Sequence, residues 1–299
     1  MSETPTYEVL GKGQLTLKDV VAQSVGFIGP VFSATFFIST IAGASFTGKG
    51  AGLATPISII LAAVGMLAVA WIISRFARRI HAAGSLYDYV TDGFGRRAGF
   101  LAGWVYYGGM TMLTLAIGLA FGGFLSSTLL DTVDVKIDWY WLAIAFWIVA
   151  FLMQYVGVAV STRAQLVLAL VSMAVVFGFA LYIILKGAGG GNSLEPFNPG
   201  NSTGTGIFYG MLYAVIMFIG FETAANLAEE TAEPKRLIPV AIFSSVVVCT
   251  VFYVIVSYAL LIVFGGKMDA FLGAFPQLAV AASGGADPSV GGTRFGELV

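Results

Sequence analysis

Charged residues are scarce in this sequence: they make up 10% of its 299 residues, against roughly 25% in an average soluble domain. With 58% hydrophobic residues beside them, that scarcity excludes an ordinary water-soluble fold and points to a lipid solvent. There is one cysteine, Cys249, inside an apolar block, so no disulfide can close within the chain and metal-ligand spacing is missing. It reads as a small core residue. The one histidine, His81, lies between two apolar blocks and reads as interfacial rather than catalytic. A membrane enzyme would need a nucleophile, a base or a metal constellation, and one His and one Cys far apart do not supply it. No GxxxxGK[ST] loop is present, which argues against ATP-driven pumping, and nucleic-acid binding lacks the basic patch it would need. No cofactor or metal is expected. Segments of about 10 residues alternating apolar and polar, the mark of a membrane barrel, are absent too.

What the sequence does have is long apolar runs. Blocks of about 20 residues match the hydrocarbon thickness of a bilayer at the rise of an α-helix. Seven such blocks fall at 20–41, 54–74, 98–129, 139–160, 164–186, 206–228 and 238–264. They predict an all-α integral membrane protein of about seven spans in a plasma or inner membrane. The polar stretch 1–19 reads as a tail, and the block after it is too long and too poorly flanked for a cleaved signal peptide. Lys and Arg in short loops mark the cytoplasmic side. With the N-terminus inside, ten of these cations fall on that side and five on the other, which predicts a cytoplasmic N-terminus. Trp139, Tyr140 and Trp141, just after Asp131, Asp134 and Asp138, read as an interfacial anchor.

Two spans are unusual. The first contains Gly26-Phe27-Ile28-Gly29-Pro30. Pro30 has no amide hydrogen and the glycines weaken the flanking helix, so a break is expected there. The sixth contains Phe218-Ile219-Gly220-Phe221-Glu222, which sets a carboxylate deep in an apolar block. A charge at that depth costs roughly 2.5 to 3.5 kcal/mol on insertion scales, so Glu222 is a functional candidate by default. Paired interrupted helices in corresponding halves are the best sequence pointer to a secondary transporter with inverted repeats. Free amides at a half-helix start attract a carboxylate, and free carbonyls at a half-helix end attract an ammonium or a metal cation. The glycines of the third span, with Tyr106, Tyr107, Phe121 and Phe124, read first as packing. The loop 187–205 is rich in Gly, Asn, Ser and Pro, reads as a flexible outer connection, and is the natural boundary between repeats.

Three stretches carry a resemblance. They are the Gly-Pro interruption of span one, the run from Ala82 to Val90 with Gly99 to Trp104 after it, and Gly220-Phe221-Glu222 running on to Pro239. Through them the chain resembles, from about Val20 to Val263, the amino acid, polyamine and organocation (APC) transporter superfamily. The resemblance implies two inverted five-helix repeats with helices one and six broken. Here that is a first repeat over 20–186, the loop 187–205, and spans six and seven of a second repeat over 206–264. The polar outer segment 265–299 stands where an eighth span would follow, so a truncation after the seventh is expected. The resemblance also implies substrate at the two unwound segments. Gly26, Phe27, Gly29 and Pro30 would offer backbone donors to its carboxylate. Met217, Phe218, Ile219 and Gly220 would offer carbonyls to its amino group. Phe221 or Phe218 would serve as an aromatic gate, and Glu222 would couple a proton or brace the broken helix. Phe27, Phe32, Tyr107, Met217 and Phe221 give the site an apolar lining. Span five has no lysine between Arg163 and Lys186, so the lysine that replaces a sodium ion in some proton-coupled relatives is absent.

The function expected from these observations is secondary transport of an amino acid or related amine by alternating access, coupled to H+ or Na+. The partners are then the small-molecule substrate and the lipid bilayer, with an oligomer as an open option. The alternative is a non-transporting fragment, or an amine-sensing or assembly protein built on the same fold.

Overall fold

The computed structural model describes residues 15–43, 49–80, 82, 84–155, 158–187 and 191–264. The tail before Leu15, His81 and the segment 265–299 therefore lie outside the described residues. The rest is helical, and the ends of the helices follow from local chemistry. α1, Leu17–Ile28, starts where the Asp19 carboxylate accepts from the Thr16 amide at 2.9 Å and the Thr16 hydroxyl at 2.7 Å. An acidic group in the first turn also suits the helix dipole. α1 ends at Gly29, which is left-handed at φ 56° and donates to the Val25 carbonyl at 3.2 Å. The chain restarts at once as α2, Pro30–Ala42. Proline suits a first helical position because the amide it lacks would have no partner there.

α3 spans Thr55–Ala77, α4 Leu86–Phe94, α5 Arg96–Val133, α6 Trp139–Tyr155 and α7 Val158–Lys186. The connection after α7 holds two short 3₁₀ turns, Glu195–Phe197 and Pro199–Asn201, and Phe197 meets Tyr258 with ring centroids 5.6 Å apart. α8, Gly204–Ile216, runs into a tight turn and a 3₁₀ helix, Phe221–Leu227. α9, Pro234–Val263, follows.

By length and apolarity six stretches among the described residues can cross a membrane: Leu17–Ala42, Gly52–Ala77, Arg96–Leu130, Ala164–Lys186, Gly204–Leu227 and Pro234–Val263. The chain is thus a multi-spanning membrane protein. Of the seven spans expected, the fourth is a shorter apolar helix, Trp139–Met153.

The core lies where α1, α2, α3, α7, α8 and α9 meet, while α5 packs against α4 and α6. Between helices in lipid, close van der Waals fit replaces the hydrophobic drive. α8 shows how. A Cβ at Gly210 would come within 2.8 Å of both Ala51 Cβ and Ser58 Oγ, and Ser58 donates to the Ile207 carbonyl at 3.1 Å. At one end the chain entering α1 is tied to the chain leaving the sixth span. Leu15 N–H donates to the Glu230 carbonyl at 3.0 Å, and Ala232 N–H donates to the Leu15 carbonyl at 3.2 Å.

Candidate functional site

The two helix breaks lie side by side. Gly220, at φ 110°, sits so close to the first break that a Cβ there would overlap Phe27 Cδ1 and lie 3.2 Å from the amide nitrogen of Ile28. Glycine is required on both counts, since L side chains rarely adopt that backbone and no room remains for one. Across the contact the Ser24 hydroxyl of α1 donates to the Phe221 carbonyl at 2.8 Å, and the Thr223 hydroxyl approaches the Gln23 carbonyl at 3.5 Å.

Breaking a helix frees backbone groups, and inside a membrane each unsatisfied one costs several kcal/mol, so their partners can be accounted for one by one. At the second break the Met217 carbonyl accepts from the Tyr253 hydroxyl of α9 at 2.8 Å. The Phe218 carbonyl accepts from the Phe221 amide at 3.3 Å. The Gly220 carbonyl accepts from the Thr223 amide at 3.1 Å and its hydroxyl at 2.6 Å. Among the described residues no donor meets the Ile219 carbonyl.

At the first break the Ile28 carbonyl accepts from the Ser33 hydroxyl at 2.8 Å, and the Ser33 amide donates to Gly29 at 2.9 Å. No acceptor among the described residues meets the amides of Val31 and Phe32, and no donor meets the carbonyls of Gly26 and Phe27. The donors expected at Gly26, Phe27, Gly29 and Pro30 therefore fall elsewhere. Gly26 and Phe27 lie within α1, the Gly29 amide is taken by Val25, and Pro30 has no N–H. The geometric reason is that the free amides belong to the helix that starts after the break, not to the one that ends at it.

The side chains sort themselves similarly. Phe27 is 40% exposed beside Gly220, and Phe32 and Ile219 are half-buried. Met217, Phe218 and Phe221 are buried, and Phe218 meets the Tyr253 ring edge-on at 5.4 Å, so it faces α9. Tyr107 is 67% exposed on the far side of α5, near Trp104. Its neighbour Tyr106 instead reaches the site, its hydroxyl donating to Glu222 Oε1 at 3.3 Å. Glu222 is buried, and its Oε2 accepts from the Gly220 amide at 3.0 Å. The carboxylate thus braces the turn it follows and meets α5 at the same time. Sequence reasoning missed Ser24, Ser33, Thr223 and Tyr253. A hydroxyl near a predicted break was the one available signal, and Ser24, Ser33 and Thr223 carried it while Tyr253 did not.

No group of three or more His, Cys, Asp or Glu able to hold a metal occurs among the described residues.

Residues 15–288 match the amino acid permease family, and the chain belongs to that family. It is 26% identical over 216 residues to the low-affinity putrescine importer PlaP of Escherichia coli (strain K12), a match covering 70% of this chain and 46% of the relative. It is 26% identical over 250 residues to the branched-chain amino acid permease BcaP of Bacillus subtilis (strain 168), covering 77% and 51%. It is likewise 26% identical over 250 residues to a methylthioribose transporter of the same organism, covering 78% and 52%. The chain spans about half the length of these relatives.

Proposed function

We propose that this amino acid permease family member carries the substrate-binding half of a secondary transporter for an amino acid or related amine. The observation that carries the reading is the set of backbone groups left without partners where two broken helices touch. The amides of Val31 and Phe32 start α2 and suit a carboxylate, and the carbonyls of Gly26 and Phe27 at the end of α1, with that of Ile219, suit an ammonium. Phe27, Phe32 and Ile219 give the site apolar walls. Gly26, Gly29, Pro30 and Gly220 shape its backbone, while Met217, Phe218 and Phe221 hold it from behind. Transport then follows by rocking one helix group against another around the fixed site, in the manner of inverted-repeat carriers. Relatives named for putrescine and for branched-chain amino acids support a substrate with an amino group. The coupling ion is H+ or Na+, with Glu222 as the proton carrier in the first case. The cation count of the loops supports an N-terminus in the cytoplasm, and the plasma membrane is the location that goes with this reading.

The test is binding and uptake of a panel of radiolabelled amino acids and diamines by the chain in proteoliposomes, with imposed proton or sodium gradients. Saturable binding that Gly220→Val abolishes is the expected result. Binding that survives this substitution, or that makes no distinction between an amino acid and its unrelated apolar analogue, would remove the proposed site.

A further inference from the structure

In the sequence Arg75, Arg78, Arg79, Arg96 and Arg97 are separate short runs, but a ring contact between α3 and α4 joins the helices that carry them. Arg75 lies in the last turn of α3, and Arg78 and Arg79 follow that helix directly. The Phe76 ring stacks on Tyr89 of α4 with centroids 5.4 Å apart, which sets the end of α3 against the middle of α4. α4 then doubles back along α5: Tyr87 faces Gly103 and Thr91 faces Gly99. The two helices form a hairpin about Gly95, at φ 86°, whose tip carries Phe94, Arg96 and Arg97.

All five guanidinium groups are exposed, and among the described residues none has a carboxylate within ion-pair distance. Against these five cations α4 supplies two carboxylates, Asp88 and Asp92. The first turn of α5 has no acidic residue, so Arg96 and Arg97 add positive charge where the helix dipole is already positive. The corner is therefore short of anions. It also carries exposed rings: Phe94, at the hairpin tip, is 83% exposed, and Arg75 lies over the exposed Trp71 ring at 5.7 Å. Exposed cations beside exposed rings at the ends of membrane spans suit the headgroup layer, where indole rings settle and guanidinium forks bind phosphate in pairs of hydrogen bonds.

We infer that the corner formed by the end of α3, α4 and the start of α5 is a binding site for anionic phospholipid. The headgroup phosphate is held by the arginines, and an acyl chain lies along the exposed Trp71 ring, over which Arg75 sits. The inference is independent of what the chain transports and of which leaflet the corner faces.

The experiment is native mass spectrometry of the purified chain in detergent, titrated with phosphatidylglycerol and, separately, with phosphatidylcholine of the same acyl chains. Phosphatidylglycerol is expected to bind preferentially. Replacing two arginines, R96Q with R97Q, is expected to weaken it about tenfold or more. A control pair, Lys136 in the connection after α5 and Lys186 at the end of α7, changed together as K136Q with K186Q, should leave it unchanged. Equal affinity for the two lipids in the unaltered chain overturns the inference without need of any variant. So does a loss that the control pair reproduces, or capture of inorganic phosphate as tight as that of the lipid.

Discussion

Gly220→Ala isolates the geometry on which the site depends. At φ 110° the residue occupies backbone that costs an L side chain about 1–2 kcal/mol. The new methyl would also overlap Phe27 Cδ1, lie 3.1 Å from Phe27 Cγ, and approach the backbone nitrogen of Ile28 to 3.2 Å. The ring is 40% exposed and can swing aside, whereas the Ile28 backbone is buried and cannot move without parting α1 from the 3₁₀ helix. Overpacking of that kind adds about 1–3 kcal/mol. The two contributions give about 2–5 kcal/mol. Cys249 provides the assay, because it is the only cysteine and is buried in α9. A maleimide dye that fluoresces on reacting with a thiol will report its exposure as the chain is heated in detergent. Gly220→Ala should lower the midpoint by several degrees. Gly65→Ala, in the middle of α3 with open space around it, should leave the midpoint unchanged or raise it by the equivalent of about 0.5–1 kcal/mol. If Gly220→Ala melts with the unaltered chain, the close contact between the breaks is wrong, and the proposed site goes with it.

Tyr253→Phe removes the donor from a buried carbonyl, Met217, and should cost about 1–3 kcal/mol in the same melt; an unshifted midpoint would show that the carbonyl does not depend on that hydroxyl. Glu222→Gln keeps an oxygen able to accept from the Gly220 amide, so its midpoint should stay near that of the unaltered chain, while any pH dependence of uptake should vanish. Uptake that still follows the proton gradient after this change would exclude the carboxylate as the proton carrier.

The membrane class and the positions of the breaks were legible because each rests on local chemistry. Long apolar runs need no partner to be recognised, and Gly29-Pro30 and Gly220 interrupt a helix by backbone properties that neighbours do not alter. What lay beyond the sequence depended on rotation about helix axes. Tyr106 and Tyr107 are adjacent and chemically alike, yet about 100° of helical turn sends one to Glu222 and the other outward. Tyr253 is one of twelve tyrosines, and nothing local to it tells that α9 will bring its hydroxyl to Met217. The expected donors missed by a few residues for a different reason. Glycine and proline mark where a helix stops, and the amides that stopping leaves free belong to the residues that follow, Val31 and Phe32.

That displacement bears on how such a site is made selective. Two breaks release many backbone groups, and a site lined by all of them would bind cations and anions with little discrimination. Here hydroxyls close four of the carbonyls at or beside the breaks. Ser33 takes the Ile28 carbonyl, Ser24 the Phe221 carbonyl, Thr223 the Gly220 carbonyl and Tyr253 the Met217 carbonyl. These four side chains come from α2, α1, the 3₁₀ helix and α9, so the groups left open are decided by packing between elements as much as by the glycines that open the breaks. Each closed carbonyl also ties one element to another or fixes a turn, as Ser24 ties α1 to the sixth span. The same bonds that remove surplus acceptors thus fix the backbone that carries the remaining donors, Val31 and Phe32, and the remaining acceptors, Gly26, Phe27 and Ile219. In the proposed site binding energy would then go to a ligand whose charged ends match the open groups, because little of it would be needed to order the backbone.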